Sequence, residues 1–137
     1  MRNQIRNFVF GAGLAALLWS PSLMAETRET AEILFDFQAS HVNLPAGTYT
    51  VIRDTHAGIL RLRNEDTRES ILLGAQGFET EKDDAGLSFR CYSGQCFLSA
   101  VWMPGTPGYT FRKTSEEKEM ERGGTRLAMA YLPLATR

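Results

Sequence analysis

Two cysteines, two histidines and five prolines in 137 residues leave little material for several familiar chemistries. A zinc centre needs about four converging His, Cys or carboxylate ligands. Here His41 and His56 fall in separate loops and both cysteines are claimed by a disulfide argued below, so no metal and no cofactor is expected. Charge of one sign is also missing: 15 basic residues stand against 16 acidic ones, a net charge of −1. That balance carries no electrostatic footprint for nucleic acid or an anionic membrane surface. No serine lies in a Gly-x-Ser-x-Gly elbow, and no internal repeat is visible.

Long apolar runs are scarce too. Residues 8–19 are uncharged, but a span needs roughly 20 residues. The other long uncharged stretch, residues 91–111, is broken by Gly94, Pro104, Gly105, Pro107 and Gly108. No membrane span is expected in the mature chain. The short run instead reads as the core of a signal peptide over residues 1–25, with Arg2 and Arg6 before it and the small residue Ala25 at the cut. The alternative for this segment is an uncleaved N-terminal anchor. Cleavage removes two basic residues and no acid, leaving a net charge of −3 on residues 26–137. A chain of that length buries about 60–70% of the surface it exposes when unfolded, enough for one domain. Export to the periplasm or the exterior follows as the expected location.

With 43% hydrophobic and 10% aromatic residues, the remainder has the composition of a globular domain. Its apolar residues recur with a period of two. Ile33, Phe35 and Phe37 share one face of a strand over residues 32–38, and Tyr49 with Val51 do so after the turn Leu44-Pro45-Ala46-Gly47. Leu60 and Leu62 mark a third strand and residues 70–73 a fourth. Residues 87–92 and 95–103 form a hairpin about Ser93-Gly94, and Leu127, Met129 and Tyr131 line the last strand before Pro133. Thr114-Ser115-Glu116-Glu117 is a capping box that opens a helix of about two turns, which Gly123-Gly124 stops. About seven short strands with one helix near the C-terminus describe an all-β fold, a small antiparallel sandwich or barrel, with the barrel or a curved sheet preferred.

In that hairpin Cys91 faces Cys96 as a non-hydrogen-bonded pair, with Cα atoms about 4.5 Å apart. This lies within disulfide range, and an exported chain meets an oxidising compartment. A Cys91–Cys96 bridge is therefore predicted. Its spacing is not the two-residue spacing of thioredoxin-type redox sites.

Other chemistry is thinly represented. Asp54 and His56 lie two apart, and Ser70, Ser88, Ser93 or Ser99 would be the available nucleophiles for a hydrolase acting on envelope material. A polar hairpin turn is the preferred reading of the pair. Glu116, Glu117, Glu119 and Glu121, with Lys118 and Arg122 among them, read as a solvated helix face. The aromatics spread over nearly every strand and are mostly core, although a barrel lined with them would hold a small apolar ligand.

Leu44-Pro45-Ala46-Gly47-Thr48-Tyr49-Thr50-Val51, the segment from Phe89-Arg90-Cys91-Tyr92 through Phe97-Leu98-Ser99 to Trp102, and Glu117-Lys118-Glu119 after it, together resemble a group of small exported bacterial proteins of unknown function. The resemblance spans most of residues 33–122. It implies export and an all-β fold, and it assigns no site. In that group's pattern an Arg and a Tyr stand where this chain has Cys91 and Cys96.

The expected role is a non-enzymatic binding module that meets a protein, an envelope component or a small apolar ligand. Its candidate surface is Pro45, Trp102, Met103 and Tyr109, on two turns rich in Pro and Gly. The alternatives are a structural subunit of an envelope assembly, using exposed sheet edges, and the hydrolase with Asp54 and His56.

Overall fold

A computed structural model describes residues 28–136; the proposed signal peptide lies outside them. Within that range the chain forms two sheets packed face to face and one short helix. The first sheet has the order β12-β1-β4-β5-β6, built from β1 (Arg28–Ile33), β4 (Gly47–Arg53), β5 (Ile59–Asn64), β6 (Ser70–Gly74) and β12 (Ala135–Thr136). The second is centred on the hairpin of β8 (Gly86–Tyr92) and β9 (Gln95–Trp102), with β11 (Leu127–Pro133) along the outer side of β8. The far side of β9 is divided. Its start pairs in parallel with β2 (Phe37–Ala39), which is covered by β3 (Val42–Leu44). Its end pairs with β10 (Gly108–Thr110), which is covered by β7 (Gly77–Glu79). The helix α1 (Ser115–Arg122) follows β10 in sequence.

Neither sheet closes on itself, so the preferred barrel is replaced by an open sandwich. The reason lies in how the chain changes sheets. It does so four times, through Leu34-Phe35-Asp36 between β1 and β2, Pro45-Ala46 between β3 and β4, Ala75-Gln76 between β6 and β7, and Leu134 between β11 and β12, as corners rather than as hydrogen-bonded closures. The strand expected over residues 32–38 is broken at the first corner. Its inward set survives the break: Ile33 and Phe37 are buried, and Phe35 packs against the same core.

Alternation places Ala31, Ile33, Tyr49, Val51, Leu60, Leu62 and Leu73 of the first sheet opposite Phe37, Leu87, Phe89, Leu98 and Val101 of the second. Aromatic rings fill the middle edge to face, Phe35 on Phe89 at 5.0 Å, Phe37 on Tyr49 at 5.2 Å and Phe37 on Phe89 at 5.4 Å between centroids. Such pairs add about 0.5–1.5 kcal/mol each beyond the area they bury. The aromatics that would have lined a ligand-holding barrel thus fill a core.

The β2–β3 hairpin escaped the sequence reading because its turn is Ser40-His41, both at positive φ (47° and 68°), without the Gly or Asn such a turn usually displays. The β8–β9 turn has the same form at Ser93 (47°) and Gly94 (84°), where the glycine made it legible. A bulge at Ser99 then shifts the register between Ser88 opposite Ala100 and Phe89 opposite Leu98.

Candidate functional site

A groove of about 640 Å³ opens where β2, the β3–β4 turn, the tip of the β8–β9 hairpin and the start of α1 meet. Each wall is fixed by a local device. At the Leu44-Pro45-Ala46-Gly47 turn, the Tyr49 hydroxyl donates to the Pro45 carbonyl at 2.6 Å, and the Ala46 N–H donates to Asp36 Oδ1 at 2.9 Å. Asn64 Nδ2 in turn donates to the Tyr49 oxygen at 3.1 Å. Burial raises the pKa of the Tyr49 phenol above its ordinary value, an effect the Asn64 hydrogen bond opposes. The phenol therefore stays a donor to Pro45.

The second wall, Gly94 to Phe97, is the hairpin tip closed by the Cys91–Cys96 disulfide, whose Cα atoms are 4.0 Å apart. The third is the first turn of α1. Thr114 caps it, accepting from the Glu117 N–H at 3.3 Å and donating to Gln38 Oε1 at 3.2 Å. Gln38 Nε2 donates to Glu116 Oε2 at 2.9 Å, which ties β2 to the helix.

Beneath the helix, Glu117 departs from the solvated face that the sequence predicts. Glu117 does not complete the capping box by reaching back, and it is not solvated. Its carboxylate is buried against the outer face of the second sheet, taking Arg90 Nε on Oε2 at 2.5 Å and Nη2 on Oε1 at 3.1 Å. The Tyr92 hydroxyl donates to the same Oε2 at 3.0 Å, and Arg90 Nη1 donates to Ser99 Oγ at 2.7 Å. A bidentate charge-assisted pair of this kind is directional and holds the helix in one orientation. Burial, and then the hydrogen bond to Glu117, push the Tyr92 phenol up to about 12. Arg90 and Tyr92 face outward because they alternate with Phe89 and Cys91, and the Ser99 bulge brings the hydroxyl under the guanidinium.

The groove lining is mixed: Leu44 and Pro45 and the margins of the buried Phe37 and Phe97 lie beside the amides of Gln38, Asn43 and Gln95. Among the described residues Asp36 and Glu116 supply its charged side chains, so an occupant that donates hydrogen bonds is favoured.

Of the four residues proposed as a binding surface, the structure places only Pro45 at this groove. Trp102, Met103 and Tyr109 are 4%, 2% and 8% exposed and belong to buried layers. Trp102 covers Gly108, where a Cβ would overlap the indole, and the Lys82 ammonium sits 3.8 Å above its ring centre. The Pro and Gly residues of that loop let the chain fold tightly over these aromatics rather than display them.

Asp54 and His56 do meet, Oδ1 to Nδ1 at 2.9 Å, in an exposed turn of the first sheet. The imidazole is 80% exposed, so nothing desolvates it. The pKa of Asp54 is held below its usual value chiefly by the His56 backbone N–H and then by the ring. This is the geometry of a polar turn. Of the serines considered as nucleophiles, Ser99 accepts from Arg90 and Ser88 is buried in β8. Among the described residues no three His, Cys, Asp or Glu side chains gather as a metal would require.

Nothing in the sequence marks Gln38, Asn43 and Gln95 as groove residues, and Glu116 reads there only as part of a solvated helix face, because three distant segments contribute them. The nearest signal was the Leu-Pro-Ala-Gly turn. When the chain is compared with known protein families, curated proteins and solved structures, none matches.

Proposed function

We propose that this protein is an exported, non-enzymatic binding module that takes its ligand in the groove between the β2–β3 hairpin, the β8–β9 tip and α1. The observation that carries the reading is the groove itself. It sets Leu44 and Pro45 among amide and carboxylate side chains, held by Tyr49 on Pro45, Gln38 on Glu116 and the disulfide. Such pre-organisation lowers the ordering cost of binding. The disulfide is consistent with an oxidising compartment and so supports export.

The test is a panel of short peptides, oligosaccharides and amphiphiles titrated into ¹⁵N-labelled protein. A binder is expected to shift amides of residues 36–44 and 94–97, and Asn43→Trp, which fills the groove from an exposed position, is expected to abolish those shifts. Shifts that fall elsewhere, or that persist in Asn43→Trp, count against the groove as the binding site.

A further inference from the structure

The strand β11 is a long sheet edge without the usual protection. Among the described residues it pairs only with β8, over Leu127 to Pro133, leaving its other side open. Sheet edges in soluble proteins are commonly blunted by charge, Pro within the strand or short length. β11 has seven residues, no charged side chain, and Pro only at its end. Leu127, Met129 and Tyr131 stand side by side on its outer face, 47%, 60% and 50% exposed. The other open edges differ. β12 has two residues, β3 and β7 have three each, and β6 places its exposed Leu72 beside Arg61.

The pattern of β11 is complementary to itself. Two copies related by a two-fold axis at Met129 and perpendicular to the sheet would pair in antiparallel fashion. Met129 would meet Met129 of the second copy, and Leu127 would meet its Tyr131. Opposite residues in such a pair point to the same face, so the three apolar side chains of each copy form one continuous patch. The charges agree with this arrangement. The Tyr131 end lies in the acidic loop, beside Glu81, Asp83 and Asp84 with the single Lys82. The Leu127 end follows directly on Arg126, with Arg122 at the last turn of α1 and the neighbouring Glu121 already paired with Lys113. The two-fold therefore brings each acidic end against the other copy's basic end. We propose that β11 is a homodimer interface, joining the second sheets of two copies edge to edge. This uses a surface separate from the groove, and neither proposal depends on the other.

The test exploits the residue that meets its own copy. Sedimentation velocity of the full chain's product, from micromolar to submillimolar concentration, is expected to show a monomer–dimer equilibrium. Met129→Lys and Met129→Glu each place like charges opposite one another at the axis, and each is expected to weaken the dimer by about tenfold or more. Mixing the two variants is expected to restore dimer, because Lys then faces Glu. Unchanged circular dichroism of both variants separates this effect from misfolding, as expected for a side chain exposed at 60%. A wild-type chain that is monomeric throughout, a single variant that dimerises as wild type does, or a mixture that stays monomeric overturns the proposal.

Discussion

The two sheets bury their residues differently. In the first sheet Tyr49, Val51, Leu60 and Leu62 of β4 and β5 point inward, and on its outer face Thr50 and Ile52 are buried beside their register neighbours Arg63 and Arg61, with no helix over them. At its centre the second sheet is covered on both sides. Leu87, Phe89 and Leu98 face the core, while Ser88, Tyr92, Phe97, Ala100 and Trp102 are buried on the outer face. A half-buried strand needs only apolar alternation. One buried on both faces must also satisfy any polar group it carries, and here Arg90 and Tyr92 are satisfied by a carboxylate delivered on a helix. The helix is therefore held chiefly by polar contacts, an arrangement that fixes orientation and loses heavily when one partner is removed.

The largest expected effect breaks that contact. Glu117→Ala leaves the Arg90 guanidinium, 13% exposed, without its carboxylate. A loss of about 3–5 kcal/mol in urea unfolding is expected. A smaller loss from the double change Arg90→Met with Glu117→Leu would show that the single variant's cost comes from the unpaired charge. If Glu117→Ala unfolds as wild type does, the contrast between the sheets is lost.

Tyr92→Phe sharpens the same contrast through pH. Removing a hydrogen bond to a charged group is expected to cost about 1.5–3 kcal/mol at neutral pH. The phenol titrates at about 12 in the folded chain against an ordinary 10.0, so the folded state holds this proton more tightly. That part of the stability is complete below pH 10.0 and is lost as pH rises towards about 12. The gap between wild type and Tyr92→Phe should therefore narrow over this window in unfolding curves. A gap that widens with pH would reverse the assignment of donor and acceptor.

The smallest effect belongs to the first sheet. His56→Ala removes a side chain that is 80% exposed, and stability is expected to stay within about 0.5 kcal/mol. The Asp54 carboxyl should remain below its usual pKa in an NMR titration, because the His56 backbone N–H, its main cause, is kept. A return of Asp54 to the ordinary carboxylate range would show that the imidazole is the stronger influence.

The legible parts of this fold are those set by neighbours in sequence. The period of two marked the inward residues of β4 and β5, and Ser93-Gly94 marked a turn that places Cys91 opposite Cys96. Thr114 marked the start of α1. The groove was visible only at Pro45, because its other walls come from segments far apart in the chain. Trp102 and Tyr109 looked like exposed loop aromatics, since a Pro/Gly-rich turn has the same sequence whether it stands away from a sheet or folds over it.

From sequence alone came the strand class, the disulfide pairing and the helix cap, all decided by backbone geometry within a few residues. Tertiary structure decided that the sheets form an open sandwich, that Glu117 lies beneath the helix instead of in solvent, and that β11 is left as an edge. These outcomes depend on which distant surface each face meets, and a repeating pattern of apolar residues is the same whatever covers it.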